Sequence, residues 1–148
     1  MTNLSQVYTW GSGDCSRLGY QPPLRQQLFP KHVSLETKIK KVALGMFHAL
    51  ALDFEGRLYS WGSGASGQLG HNKLQNDVKH TFIQKEPQII VDIASQNIQD
   101  IAVGAKHNLA LSDKGSLFTW GCNKKGQLGL GDVKGALKPK IPMNVIEK

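Results

Sequence analysis

Cysteine is scarce. Only Cys15 and Cys122 occur, with no Cys-x-x-Cys pair, so neither a disulfide framework nor a structural zinc cluster is indicated. No apolar run approaches the roughly 18 residues needed to span a bilayer as a helix. The N-terminal Met-Thr-Asn-Leu-Ser-Gln has no basic region followed by an apolar stretch, so no signal peptide is expected. The expected location is cytoplasmic or nuclear. There is no Gly-x-x-x-x-Gly-Lys-Ser/Thr phosphate loop and no His-x-x-x-His spacing. The acids Asp14, Asp53, Asp100, Asp113 and Asp132 form no paired pattern. Catalytic residues, cofactor sites and metal ligands are therefore read as none, and an enzyme that makes or breaks covalent bonds is not expected. Proline is also sparse, six against sixteen glycines, a balance suited to a turn-rich all-β chain.

Acidic residues are in deficit. Eighteen Lys and Arg against eleven Asp and Glu leave a net charge of +7 and a pI near 9.5. Such a balance suits an acidic partner. The lysines are scattered, however. The densest clusters are Lys38/Lys40/Lys41, Lys124/Lys125 and Lys134/Lys138/Lys140. No aromatic residue interleaves with them as a nucleic-acid stacking platform requires. A solvated basic surface is the favoured reading, with nucleic acid or chromatin second.

What the chain does have is one phrase said three times. Val7-Tyr-Thr-Trp-Gly-Ser-Gly-Asp-Cys-Ser-Arg-Leu-Gly19 returns as Leu58 to Gly70 and as Leu117 to Gly129. All three tryptophans, Trp10, Trp61 and Trp120, occupy one frame, each followed by Gly (Gly11, Gly62, Gly121) and eight residues later by Leu-Gly (Leu18-Gly19, Leu69-Gly70, Leu128-Gly129). A second phrase locks the frame: Val42 to Leu52 returns as Ile101 to Leu111, with Gly45 and Gly104 three residues before His48 and His107. The spacing is 51 residues from Trp10 to Trp61 and 59 from Trp61 to Trp120. Self-similarity at this period marks a repeat architecture.

Along the chain, residues 5–11 read as a strand and Gly11 to Gly19 as a tight loop. Pro30 to Val33 begins an extended piece. Residues 39–44 form a short strand, and His48 to Leu52 alternates small and large residues with period two, a strand with faces of different size. Asp53-Phe-Glu-Gly-Arg is a hairpin turn leading into Leu58 to Trp61. The next period copies this order at 98–103, 107–111 and 117–120. Ile89 to Ile93 and Pro139 to Ile141 are assigned the same slot as Pro30 to Val33. His71 to Gln84 is a longer polar segment, read as a surface insertion, with a partner-contact loop as the sharper reading.

These phrases resemble the repeat of the regulator-of-chromosome-condensation family: a strand ending in Trp-Gly, a loop ending in Gly-Gln-Leu-Gly, a Pro, then Gly-x-x-His and Leu-x-Leu. Trp61-Gly62 with Gly67-Gln-Leu-Gly70 and Trp120-Gly121 with Gly126-Gln-Leu-Gly129 match. The first copy departs, with Ser16-Arg17 in place of Gly-Gln, and Asn108 after His107 is unusual. The resemblance implies an all-β chain, a partial β-propeller of about three four-stranded blades. It would be a single repeat domain over 1–148 with repeats near 5–55, 56–114 and 115–148, the last incomplete. It further implies that missing blades or other copies of the chain complete the assembly. The repeated residues Trp10, Gly11, Leu18, Gly19, Gly45, His48, Trp61, Gly62, Leu69, Gly70, Gly104, His107, Trp120, Gly121, Leu128 and Gly129 read as structural positions. The two histidines recur in register, so they are placed in different blades and do not converge on one site. The resemblance implies a non-catalytic interaction module for a protein partner. The alternative is a guanine-nucleotide exchange factor for a Ran-like small GTPase, the founding member's activity. Which residues contact a partner is unknown from the sequence.

Overall fold

Among the described residues, ten short strands, all paired antiparallel, build three sheets in chain order. This computed structural model describes residues 5–23, 25–72 and 82–143. The first sheet pairs β1 (Tyr8–Ser12) with β2 (Gln26–His32). The second runs β3 (Ile39–Leu44), β4 (His48–Asp53), β5 (Leu58–Ser63), β6 (Ile83–Ile89). The third runs β7 (Ile98–Val103), β8 (His107–Ser112), β9 (Leu117–Gly121), β10 (Ala136–Lys140). Each four-stranded sheet is a meander, the blade unit of a β-propeller. No helix among the described residues is long and apolar enough to cross a membrane.

The sheets do not share the frame of the sequence repeat. The second sheet starts inside the first copy and ends inside the second, because β5 pairs with β4 behind it and β6 ahead of it. The third sheet therefore has all four strands, and the two-stranded sheet is the first. Two four-stranded blades and one two-stranded sheet stand where about three blades are expected. Register also moves the proline slot. Tyr59 pairs with Ile89 as Tyr8 pairs with His32, so Pro87 matches Pro30 and Ile90 matches Val33. Residues 91–93, expected to be extended, form a 3-10 turn. Of the insertion read over His71 to Gln84, residues 73–81, including His80, lie outside the described residues.

Pro30, Pro87 and Pro139 all lie in the last strand of their sheet, β2, β6 and β10, next to a break in register. Proline cannot donate to a ladder, so it belongs at such edges and bulges. It also blunts the edge against pairing with other chains.

The cores lie between sheets. On β4, Ala49 and Ala51 face the two-stranded sheet with Val7, Leu18, Val33, Ile39 and Trp61. Leu50 and Leu52 face the other way, with Leu58, Ile98, Ile101, Phe118 and Trp120. The small-large alternation thus serves two joints at once, since successive side chains leave a strand on opposite faces.

Candidate functional site: the joints between blades

The repeated residues meet where one sheet packs on the next. A hydroxyl in each copy first ties the loop to its own strand: Thr9, Ser60 and Thr119 donate to the carbonyls of Leu18 (2.6 Å), Leu69 (2.7 Å) and Leu128 (2.9 Å). These hydroxyls carry a repeated role that the sequence reading passed over. The signal was a Thr or Ser immediately before every Trp.

The loop so held presents a carbonyl and a glycine to the next blade. Trp61 Nε1 donates to the Arg17 carbonyl (2.9 Å), and Trp120 Nε1 to the Gln68 carbonyl (3.0 Å). A Cβ on Gly19 would stand 2.7 Å from Trp61 Nε1, and one on Gly70 would stand 3.0 Å from Trp120 Nε1. The Leu-Gly pair is therefore a seat for the indole of the following blade, and a side chain there would displace it. In the first loop Ser16 takes the positive φ (57°) that Gly67 and Gly126 take in the others. Gln68 and Gln127 cap their own loops through Oε1, accepting from Ser66 and Lys125. Arg17 replaces that cap by donating to the carbonyls of Asp14 and Met46.

His48 is buried, and its Nε2 lies 2.7 Å from Asn108 Oδ1, a residue of the next blade. Asn108 Nδ2 donates to the Gln68 carbonyl (2.7 Å). The Asn amide thus turns its oxygen toward His48, so Nε2 carries the proton. Nδ1 has no hydrogen-bond partner among the described residues. One ring nitrogen, and not both, makes the bridge. Asn108, a departure from the family pattern, is the residue that joins His48, Gln68 and its own strand. His107 occupies the same place in the third sheet and is half-buried. A Cβ on Gly45 or Gly104 would run into the ring of His48 or His107. Gly62 and Gly121 hold positive φ (99° and 108°), where a Cβ would strike the carbonyls of Phe47 and Lys106. Gly11 shares that conformation with open space beside it. His48 reaches across to Asn108, the residue after His107. Among the described residues no group of three His, Cys, Asp or Glu could hold a metal.

Burial pushes the His48 pKa down, the Asn108 hydrogen bond opposes this, and the His107 charge adds to the depression. A His that folds neutral makes stability pH-dependent. Its contribution is complete above the unfolded value of about 6.5. It is lost as pH falls from there through the lower folded value. His107 is the other ionisable group acting on it. Melting temperatures of the wild type should therefore drop as pH falls below about 6.5. His48→Gln should be less stable at neutral pH but show a flatter profile in that window. Parallel profiles would count against the assignment.

The remaining repeat members divide by neighbour. Trp61, Trp120, Leu18, Leu69 and Leu128 are buried, whereas Trp10 is 59% exposed, no sheet standing before it among the described residues. A cavity of about 410 Å³ opens beside it, lined by Tyr8, Trp10, Arg17, Leu44, Met46 and His48 among others.

The regulator of chromosome condensation repeat model matches residues 5–52, 55–111 and 114–147. The E3 ubiquitin-protein ligase HERC2 of Homo sapiens is 36% identical over 140 residues, covering 92% of this chain and 3% of that protein. The ultraviolet-B receptor UVR8 of Arabidopsis thaliana is 36% identical over 138 residues, covering 91% of this chain and 29% of the receptor. Among solved structures, human WBSCR16 superposes with a TM-score of 0.78 at 26% identity, over 95% of this chain and 35% of that one. Yeast RCC1 (Prp20), crystallised bound to Kap60, superposes at 0.85 over 97% of this chain and 34% of that one, and at 23% identity it speaks for the fold alone. The chain thus spans about a third or less of the relatives it matches. Three matched repeats, sheets laid out as propeller blades and Trp-to-loop joints made twice place this chain in the regulator of chromosome condensation (RCC1) repeat family.

Proposed function

We propose that this chain works as a non-catalytic interaction module, propeller blades whose loops and exposed faces hold a protein partner in the cytosol or nucleus. One observation supports this above others. The side chains with most chemical capacity, His48, Asn108, Gln68 and Asp53, are buried and committed to hydrogen bonds within or between blades. Exposed loop positions differ between the copies, as at Asp14, Ala65 and Lys124, and such loops are the usual place for recognition. Fold resemblance does not carry an activity with it. A nucleotide-release assay on Ran tests the reading against exchange activity. Release at micromolar protein is expected to proceed at its unassisted rate, and a stimulated rate would move the chain to the exchange-factor class. A chromatin partner predicts binding to nucleosomes that weakens steeply with salt.

A further inference from the structure

The two ends of the third sheet carry opposite charge. At one end lie the β7–β8 turn (104–106) and the β9–β10 connection (122–135), because a meander brings alternate connections to the same end. They hold Lys106, Lys124, Lys125 and Lys134 against one acid, Asp132. At the other end, 90–97 and 113–116 hold Asp92 and Asp113 against Lys114 alone. The four lysines are exposed, and none makes an ion pair among the described residues. Asp132 Oδ1 instead accepts from the Lys134 N–H (2.9 Å) and Asn123 Nδ2 (3.3 Å), which draws 132–134 back beside 123–124. The Cys122 N–H donates to the Lys106 carbonyl (2.8 Å), which adds the turn to the same surface.

The blade scaffold does not require these lysines. Register makes Phe47, Ala65 and Ser66 the counterparts of Lys106, Lys124 and Lys125. Residues 45–47 and 64–72 contain no Asp, Glu, Lys or Arg. Nor does a neighbouring blade cover the cluster. Lys106 and Lys134 are exposed with the second sheet packed against the third, and Ala65 is exposed although the third sheet follows its own.

We infer that this end of the third blade is a docking surface for an acidic segment of a partner protein, with clustered Asp or Glu and apolar side chains among them. The inference rests on the interaction-module reading and gives that module its surface. Charge complementarity selects the carboxylates. Exposed apolar groups select a protein over a phosphate backbone. Val133, 65% exposed, precedes Lys134. Ala65-Ser66 lies alongside, a Cβ on Gly135 standing 3.8 Å from the Ser66 carbonyl. The two connections hold no Phe, Tyr or Trp on which bases could stack and no Arg for a bidentate grip on phosphate.

Fluorescence anisotropy of the full chain with a labelled synthetic peptide of alternating Asp-Glu pairs and leucines tests this. The wild type should bind it, and a peptide with Asn and Gln in place of the acids should bind about tenfold more weakly or worse. Lys124→Glu/Lys134→Glu should weaken the acidic peptide about tenfold or more, since each reversal turns an attraction into a repulsion. Lys38→Glu/Lys114→Glu makes the same change in net charge at the opposite end of the sheets and should leave binding within about twofold, because salt screens charges that far away. All four positions are exposed, so both double variants should melt like the wild type; if one does not, Gln replaces Glu in both. Equal losses in the two variants would assign the binding to net charge and overturn the inference. So would a peptide that fails to bind at about 1 mM. A short DNA duplex or a phosphatidylserine vesicle that binds more tightly, and is released by Lys124→Glu/Lys134→Glu, would overturn it as well. Failure here with nucleotide release still unassisted moves the module's partner to another surface, whereas stimulated release overturns the module reading whatever the peptide does.

Discussion

Trp120→Ala is expected to remove about 3–5 kcal/mol of stability, and Trp10→Ala less than about 1 kcal/mol, though both are the same residue of the same repeat. Trp120 is fully buried against Leu50, Leu52, Ile98, Ile101 and Leu128. Truncation leaves a cavity among side chains anchored in two rigid sheets, which cannot close over it. The lost hydrogen bond adds little, because the Gln68 carbonyl keeps its bond from Asn108 Nδ2. Trp61 differs on this point. The Arg17 carbonyl has no second donor among the described residues, so Trp61→Phe should cost about 1 kcal/mol through that bond alone. Domains of this size are stable by only about 5–15 kcal/mol. Losing a joint in a stack held by nearest neighbours should also uncouple the third sheet, so the melt of Trp120→Ala should broaden or split. Urea melts of the two variants give the comparison. Equal losses would mean that the packing of the indole between sheets is not what stabilises the stack.

Asp53→Ala is expected to cost about 2–4 kcal/mol, through hydrogen bonds and not through packing. Asp53 is fully buried at the β4–β5 turn. It accepts from the backbone N–H of Glu55 (2.9 Å) and Arg57 (2.8 Å), from Arg57 Nε (2.8 Å), and from the hydroxyls of Tyr59 and Thr37 (3.3 Å each). Burial alone would raise its pKa. The N–H groups of Arg57 and Glu55 and the Arg57 charge together outweigh that and hold it below the usual carboxylate value. A carboxylate with a depressed folded pKa stabilises above its unfolded value of about 3.9, and the contribution disappears as pH falls from there through the folded value. In the third sheet the positions of Asp53 and Arg57 hold an uncharged pair: Ser112 Oγ accepts from the Ser116 N–H (3.1 Å). The double variant Asp53→Ser/Arg57→Ser copies that serine pair and leaves no buried charge behind, only the exposed Glu55 without its Arg57 partner. It should be more stable than Asp53→Ala and lose less between pH 4 and pH 2 than the wild type. Acid melts of the three proteins check this, and a double variant as unstable as Asp53→Ala would defeat the explanation.

The sequence by itself determined the repeated unit, the strand type and the turns. These are local properties. The alternation Ala49-Leu50-Ala51-Leu52 requires a two-faced strand whatever it packs against, and Asp53-Phe-Glu-Gly-Arg turns back wherever it lies. Tertiary structure alone decided three things. It set the frame of the blades, since β5 pairs with strands on both sides of it and the Trp phrase marks the middle of a sheet, not its start. It gave Asn108 its role, because the partner His48 lies 60 residues away and no spacing in one chain announces such a pair. And it separated Trp10 from Trp61 and Trp120. The three phrases are alike in sequence, but burial belongs to the neighbour that covers a face, and a repeat motif carries no record of whether that neighbour is there.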